Sequence, residues 1–365
     1  RKMIKKYLKE LVELNGVSSR EEDVMEYMYR QFKKVSDTVE TDNLGNVILK
    51  ISSGKKDAKK MMIFAHMDEI GFIVRKIETD GYVRIERIGG VSTQILPGLV
   101  INLLGEKGIV KGIVGTPAHH FIKQQDKFSV PQVEDLYIDI GAASAHEVED
   151  MGIRVGSFGV FESRYMEMPN DILCGKAMDD RAALAIILQF LDEIKGQTFA
   201  WDIYIVAAVM EEYNIRGILP AVHTIRPDAM LGLDITPSCD TPDMYYNDVV
   251  LGKGPALCYM NFHGGGTLAG VLPDKKMLEF LERTMEKANI PYQREISPGI
   301  ITENAFTLFE NDGIPVCNLS IPTRYTHTPV ECVCLKDLEL LVLTLKESVS
   351  ELTENIGFGK GNIIK

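Results

Sequence analysis

The chain has 365 residues, enough for two domains or for one large domain carrying an insertion. Its 45% hydrophobic and 25% charged content is that of a globular protein, and its net charge of −12 argues against nucleic acid or an anionic membrane as a partner, since both call for clustered Lys and Arg. No apolar run approaches the ~18 residues of a membrane span, and the charged opening leads into an amphipathic pattern without the apolar centre of a signal peptide, so a cytoplasmic protein is expected.

Ile4, Leu8, Leu11 and Val12 form a helical stripe over 3–14, which Asn15-Gly16 stops. Ser18-Ser19-Arg20-Glu21 has the form of a capping box, and Val24, Met25, Met28 and Phe32 mark one face of the helix it would start. Asp42 to Asn46 reads as a turn, with strands over 47–51 and 61–65. From Phe72 to about Glu162 the texture changes to short β runs broken by glycine, such as 81–85, 99–105 and 108–115, with one short helix over 145–151. An alternating texture returns at Leu173: helices over 180–194, 275–288 and 335–352, and buried strands over 202–209, 229–233 and 315–320. The expected fold is therefore α/β, a mixed and mostly parallel sheet flanked by helices, with an inserted all-β, barrel-like domain. The expected division is an α/β domain in two parts, 1–71 and 166–365, around an insertion over 72–165.

The run Ile63-Phe64-Ala65 ends in His66-Met67-Asp68, whose two polar side chains would point the same way from an extended segment. Alone this is a weak signal, since such a pair is usually a satisfied contact at a strand end. The pattern recurs, however. Asp179-Asp180 opens the long helix, where a helix cap is the ordinary explanation. Glu211-Glu212 follows strand 202–209, Asp234 follows strand 229–233, and His327 lies in the loop after strand 315–320. If these ends share one edge of the sheet, where open α/β folds build their sites, then His66, Asp179, Glu211, Glu212, Asp234 and His327 converge. Two imidazoles with several carboxylates suit zinc, cobalt or manganese. The acids outnumber what one tetrahedral ion takes, and unpaired acids held together repel one another. Two divalent cations sharing a carboxylate would resolve this and make a water nucleophilic near neutral pH. One glutamate would stay free to accept the proton.

Taken in order, these motifs resemble the glutamyl/deblocking aminopeptidase family of dinuclear metallopeptidases, the tetrahedral aminopeptidases. The resemblance runs through Asp42-Asn43-Leu44-Gly45-Asn46, Ala65-His66-Met67-Asp68-Glu69-Ile70-Gly71-Phe72, Ile95-Leu96-Pro97-Gly98, Glu134 to Ala142, Asp179-Asp180-Arg181, Glu211-Glu212, Arg216-Gly217, Asp234-Ile235-Thr236 and Arg324 to Glu331. It implies that His66 and Asp234 hold one metal, Glu212 and His327 a second, and that Asp179 bridges them. It further implies that Asp68 stands behind His66 and that Glu211 is the general base and acid. Two divalent ions per subunit, most often zinc, and short peptide substrates are implied. So is a dodecamer assembled from dimers through the β insertion. The chain departs from the family at Met210, at Tyr213-Asn214 and at Thr302-Glu303-Asn304-Ala305, all near the expected substrate pocket.

Two other readings keep the same residues: a dinuclear carboxypeptidase or N-acyl amino acid deacylase, and a metal-binding assembly scaffold without turnover. An endoglucanase is disfavoured, because its chemistry needs no metal and a single tryptophan offers little for stacking sugars. His119-His120 reads as surface loop, Gly264-Gly265-Gly266 as a turn that lacks the rest of a phosphate loop, and Cys332-Val333-Cys334 as packing. The six cysteines are scattered without a Cys-x-x-Cys pair, which points to reduced thiols.

Overall fold

A computed structural model describes residues 1–361. The sheet has twelve strands. Its main path runs Val39–Thr41, Val47–Ile51, Asp202–Ala208, Lys60–His66, Ala229–Pro237, Val316–Arg324, Glu331–Cys334, Ile172–Gly175 and Met166–Met168. The strands Ala256–His263, Ala269–Val271 and Gln293–Pro298 branch from Val316–Arg324. The four strands Asp202–Ala208, Lys60–His66, Ala229–Pro237 and Val316–Arg324 are neighbours and parallel. A parallel strand covered on both faces needs apolar side chains at every position, which accounts for the unbroken run Met61 to Ala65.

The alternation of side chains along a strand sorts them to two faces. Met61, Ile63 and Ala65 pack with the helices Lys2–Glu13, Glu22–Lys33, Met178–Ile194, Lys275–Lys287 and Leu335–Glu351. Met62 and Phe64 pack on the opposite side with Leu219–Ile225 and Ala305. In Lys2–Glu13 the buried residues are Ile4, Tyr7, Leu8, Leu11 and Val12, the expected stripe.

Six strands between Gly71 and Phe161 close into an antiparallel barrel in the order Gly71–Ile77, Val83–Ile88, Ile138–Asp139, Gly108–Val114, Val100–Gly105, Phe158–Phe161. Phe72, Val74, Val83, Ile85, Ile101, Leu103 and Phe161 fill it, with the rings of Phe72 and Phe161 edge to face at 5.3 Å. The fold is thus the mixed α/β sheet with a β barrel that the sequence led us to expect.

Two local readings change. The strands 229–237 and 316–324 run further than the apolar runs suggest, so Asp234 lies within a strand and not beyond it. Ser18 caps nothing. Glu22–Lys33 begins after Glu21 with no side-chain cap, and the Ser18 hydroxyl instead donates to Asp68 Oδ2 at 2.6 Å. His119 and His120 are exposed in a single 3-10 turn. Among the described residues no helix is long and apolar enough to cross a membrane.

Candidate metal centre

The parallel register decides what meets at the sheet edge. Ala208 lies opposite His66, and Gly232 opposite Phe64, which carries Asp234 to the level of His66. Glu211 and Glu212 begin a short helix just past Ala208, after a left-handed turn at Met210. Asp179 enters from the helix Met178–Ile194, whose first turn breaks at Asp179 and Asp180, with a cis peptide bond between the two. His327 follows the strand 316–324 and itself has φ 61°. All six residues expected from the sequence therefore come to one place.

His66 is fully buried. Its Nε2 lies 3.0 Å from Asp179 Oδ1 and 3.9 Å from Glu211 Oε2. Its Nδ1 faces Asp68, 3.1 Å from the backbone oxygen and 3.3 Å from Oδ1. His327 Nε2 lies 3.3 Å from Asp179 Oδ2 and 3.6 Å from Glu212 Oε2. Three overlapping groups of ligand atoms each fall within 4.8 Å of one another: His66 with Asp179 and Asp234, His66 with Glu211 and Glu212, and Asp179 with Glu212 and His327.

Asp68 does more than stand behind a histidine. Its two oxygens accept the backbone N–H of Glu211 at 2.9 Å and of Glu212 at 3.0 Å. It therefore ties the glutamate turn to the His66 strand. Glu331 makes the matching tie on the other side, accepting the N–H of Asp179 at 3.0 Å and of His327 at 2.6 Å. Behind both, Glu69 Oε1 accepts from Lys176 Nζ at 2.9 Å and Gly16 N at 3.0 Å, and Arg181 Nε donates to Met67 O at 2.8 Å. Pairing of this kind offsets the cost of burying these charges. These contacts pin the loop after His66 between the first helix and the start of the Asp179 helix. Glu331 and Glu69 lie within the motifs that carry the resemblance. Glu331 holds backbone, and Glu69 holds the Gly16 N–H while pairing with Lys176, roles that no residue type announces.

The electrostatics fit a cation. Burial raises the carboxyls of Glu211 and Asp234, helped by the neighbouring acids, and burial pushes Glu212 up to about 8. Asp179 goes the other way. Burial opposes its charge, but hydrogen bonds from His327 and His66 bring it below the usual carboxylate range. Burial also opposes a charged His66, yet Asp179 and Asp68 raise it well above an ordinary histidine. Left to itself the cluster holds protons that a divalent cation would replace. Imidazole nitrogens and carboxylate oxygens are the donors that zinc, cobalt and manganese take. On this donor set the residues fit metal.

Comparison with known proteins points to one family. Residues 45–343 match the M42 glutamyl aminopeptidase family. SgcX of Escherichia coli (strain K12) is 43% identical over 329 residues, 90% of this chain and 88% of that protein. Among solved structures, aminopeptidase APDkam598 from the archaeon Desulfurococcus kamchatkensis superposes with a TM-score of 0.89 at 33% identity, covering 96% of each chain. Pyrococcus horikoshii TET1 peptidase, whose structure is described as assembling into a tetrahedron or a large octahedral shell, gives a TM-score of 0.84 at 27% identity. That match covers 96% of this chain and 100% of TET1.

Proposed function

This chain belongs to the M42 glutamyl aminopeptidase family, and on that premise we propose that it is a dinuclear metallo-aminopeptidase that removes amino-terminal residues from short peptides. The observation that carries the reading is the overlap of ligand groups: Asp179 is common to one group with His66 and Asp234 and another with Glu212 and His327. His66, Asp179 and Asp234 would hold one ion, and Asp179, Glu212 and His327 the other. Zinc is the first candidate, then cobalt or manganese. Such a pair supplies polarisation of the scissile carbonyl and a water able to attack near neutral pH.

The rest of the chemistry belongs to the chain. Glu211 also neighbours His66, but as the acid left over from these two groups it is the proton carrier. Its carboxylate takes a proton from the attacking water and returns it to the departing amine as the peptide C–N bond breaks. Asp68 fixes the His66 ring through Nδ1, and through the two N–H groups it fixes the turn that presents Glu211. The first 71 residues and 166–365 form the catalytic unit in this reading, with the insertion over 72–165 serving subunit contacts. The assembly described for TET1 makes a hollow homo-oligomer of dimers the expected form in solution. Peptides would then reach the sites only as short or unfolded chains.

The test is metal removal and return. A chelator abolishes release of amino-terminal residues from free-amine peptides, and adding back zinc, cobalt or manganese restores it, with two ions bound per chain by elemental analysis. Preference for amino-blocked or carboxyl-terminal substrates would instead establish the deacylase or carboxypeptidase reading.

A further inference from the structure

Glu303 stands apart from the other acids around the centre. It is 1% exposed, and among the described residues neither oxygen of its carboxylate has a hydrogen-bond partner. Each of the other acids there has some answer to its charge. Asp68 accepts three hydrogen bonds, Glu331 two and Asp180 one, from the N–H of His66 at 3.3 Å. Asp179, Glu211 and Glu212 have histidine nitrogens within 4 Å, and Asp234 accepts from the N–H of Ile235 at 2.6 Å. A buried carboxyl with no donor at either oxygen is costly to ionise, which pushes this one up to about 7, and it calls for an explanation.

Disorder is not that explanation, because the flanking residues are tied down. Asn304 Nδ2 donates to Asn318 Oδ1 at 2.5 Å and to Cys317 O at 3.1 Å, and Asn304 Oδ1 accepts from Thr307 Oγ1 at 2.8 Å. Thr302 Oγ1 accepts from Asn318 Nδ2 at 2.9 Å and from Asn261 Nδ2 at 3.3 Å. Asn318 lies opposite Gly232, two residues before Asp234. The network thus fixes Glu303 beside the strand that carries Asp234. Its charge acts on Asp180, Glu211 and Asp234, and the charges of His66, Asp68 and Asp179 act on it. The residues leading to it, Pro298 to Ile301, are exposed or half-buried. Among the described residues it is also absent from every group of ligand atoms close enough to share an ion.

We propose that Glu303 is the receptor for the α-ammonium group of the substrate, the residue by which the site reads a free amino terminus. A unit positive charge with three N–H donors is the complement that this carboxylate lacks. An amino-terminal residue brings that group into the site, to a fixed distance from the scissile carbonyl. A blocked or internal residue does not, and would leave Glu303 buried and unpaired, so the contact excludes such substrates as well as admitting the right one. The inference rests on the aminopeptidase reading.

The test uses the metal-loaded protein and two probes that differ by one group, L-leucine hydroxamate and 4-methylpentanehydroxamic acid, which lacks the α-amine. Binding is measured by calorimetry and metal content by elemental analysis. The wild type favours the amine-bearing probe. Glu303→Gln weakens that probe about 30- to 100-fold and leaves the other within about threefold, with metal content unchanged, as expected for loss of a buried charge partner. Glu303→Asp keeps the charge but withdraws it by one methylene and cuts the preference about tenfold, which decides the case should the glutamine variant not fold. Preference undiminished in either variant overturns the inference. Equal weakening of both probes, which marks a structural role, and loss of metal, which marks a ligand, do the same. The outcomes separate from those of the function itself. A wild type without turnover on free-amine peptides sinks the aminopeptidase reading whatever Glu303 does. Normal peptide turnover with undiminished probe preference in Glu303→Gln sinks this inference alone.

Discussion

Glu211 and Glu212 are adjacent in sequence, yet the turn that begins at Met210 aims them at different neighbours. Glu212 Oε2 lies 3.6 Å from His327, while Glu211 Oε2 lies 3.9 Å from His66. If Glu211 carries the proton, Glu211→Gln removes that capacity at almost constant shape. Turnover of aminoacyl substrates then falls by about 10²- to 10⁴-fold, while both metals are retained by elemental analysis. Glu212→Gln should instead lose one equivalent of metal. Equal metal loss in the two variants would show that Glu211 is a ligand and that another group is the base. These residues were legible in the sequence because each ends an apolar run with a side chain that such a run cannot bury alone. Glu331 was not legible as a site residue, and neither was the tie from Asp68 to the glutamate turn. Their contacts are to backbone N–H groups of residues distant in the chain. Any acid could make such a contact, and only the folded register selects this one. Glu303 showed in the sequence as a departure from a familiar motif, but its missing partners are visible only once its surroundings are known.

At the scale of elements, hydrophobic periodicity located the long helices and the central strands, missed the short helix Leu219–Ile225 and the strand Ala256–His263, and failed where strands continue past their apolar run. Ala229–Pro237 stays in register with Val316–Arg324 through Asp234↔Ser320 to Pro237↔Thr323. Pairing, not apolarity, sets the length there. Just beyond, Arg324 makes a two-pronged contact with Asp240, Nε to Oδ1 at 2.8 Å and Nη2 to Oδ2 at 2.7 Å. It binds the loop after Asp234 to the strand end three residues before His327. Burial opposes the Asp240 charge, but the bonds from Arg324 and Ser238 and the N–H of Leu251 lower its pKa to about 2. A carboxyl depressed from its unfolded value, near 3.9, adds stability that is complete above pH ~4 and vanishes as pH falls towards 2. Two pH units correspond to ~2.5 kcal/mol, and partial exposure reduces this to about 1–2 kcal/mol. Asp240→Asn is therefore expected to lower the urea-unfolding free energy by that amount at pH 7, with the gap to wild type narrowing between pH 4 and 2.5. A gap that does not change with pH would mean that packing, and not charge, accounts for the loss.

For the whole molecule, the change of texture at Phe72 announced the barrel, but not that the barrel reaches the candidate metal centre. The segment between the strands Val83–Ile88 and Val100–Gly105 does so. The Gly90 backbone oxygen lies 2.9 Å from His327 Nδ1, and a Cβ placed on Gly90 would stand 2.7 Å from that same nitrogen. Gly90 has no left-handed backbone that would exclude alanine, so only the approach of His327 demands glycine there. The contact also orients the ring: Nδ1 bonded to a carbonyl leaves Nε2 facing Asp179 and Glu212, the second-neighbour arrangement that metal-binding histidines use. The insertion thus reaches the candidate site through the Gly90 carbonyl oxygen, in addition to any role in subunit contacts. Gly90→Ala tests this. The added methyl must displace the His327 ring, and a shift of several tenths of an ångström at a reacting centre costs about 10- to 100-fold. The expected variant keeps the assembly and a thermal midpoint near wild type, loses kcat/KM by that factor, and gives up one metal equivalent more readily to a chelator. A substitution of similar size at Gly98, where an added Cβ meets nothing within 4 Å, carries a backbone penalty from its φ of 87° but no clash with the site. It should therefore cost stability and leave catalysis untouched. If Gly90→Ala behaved like the Gly98 variant, His327 would not depend on the barrel, and the packing of Val17 against Ile88 and Val160 would join the two parts of the molecule without reaching the site.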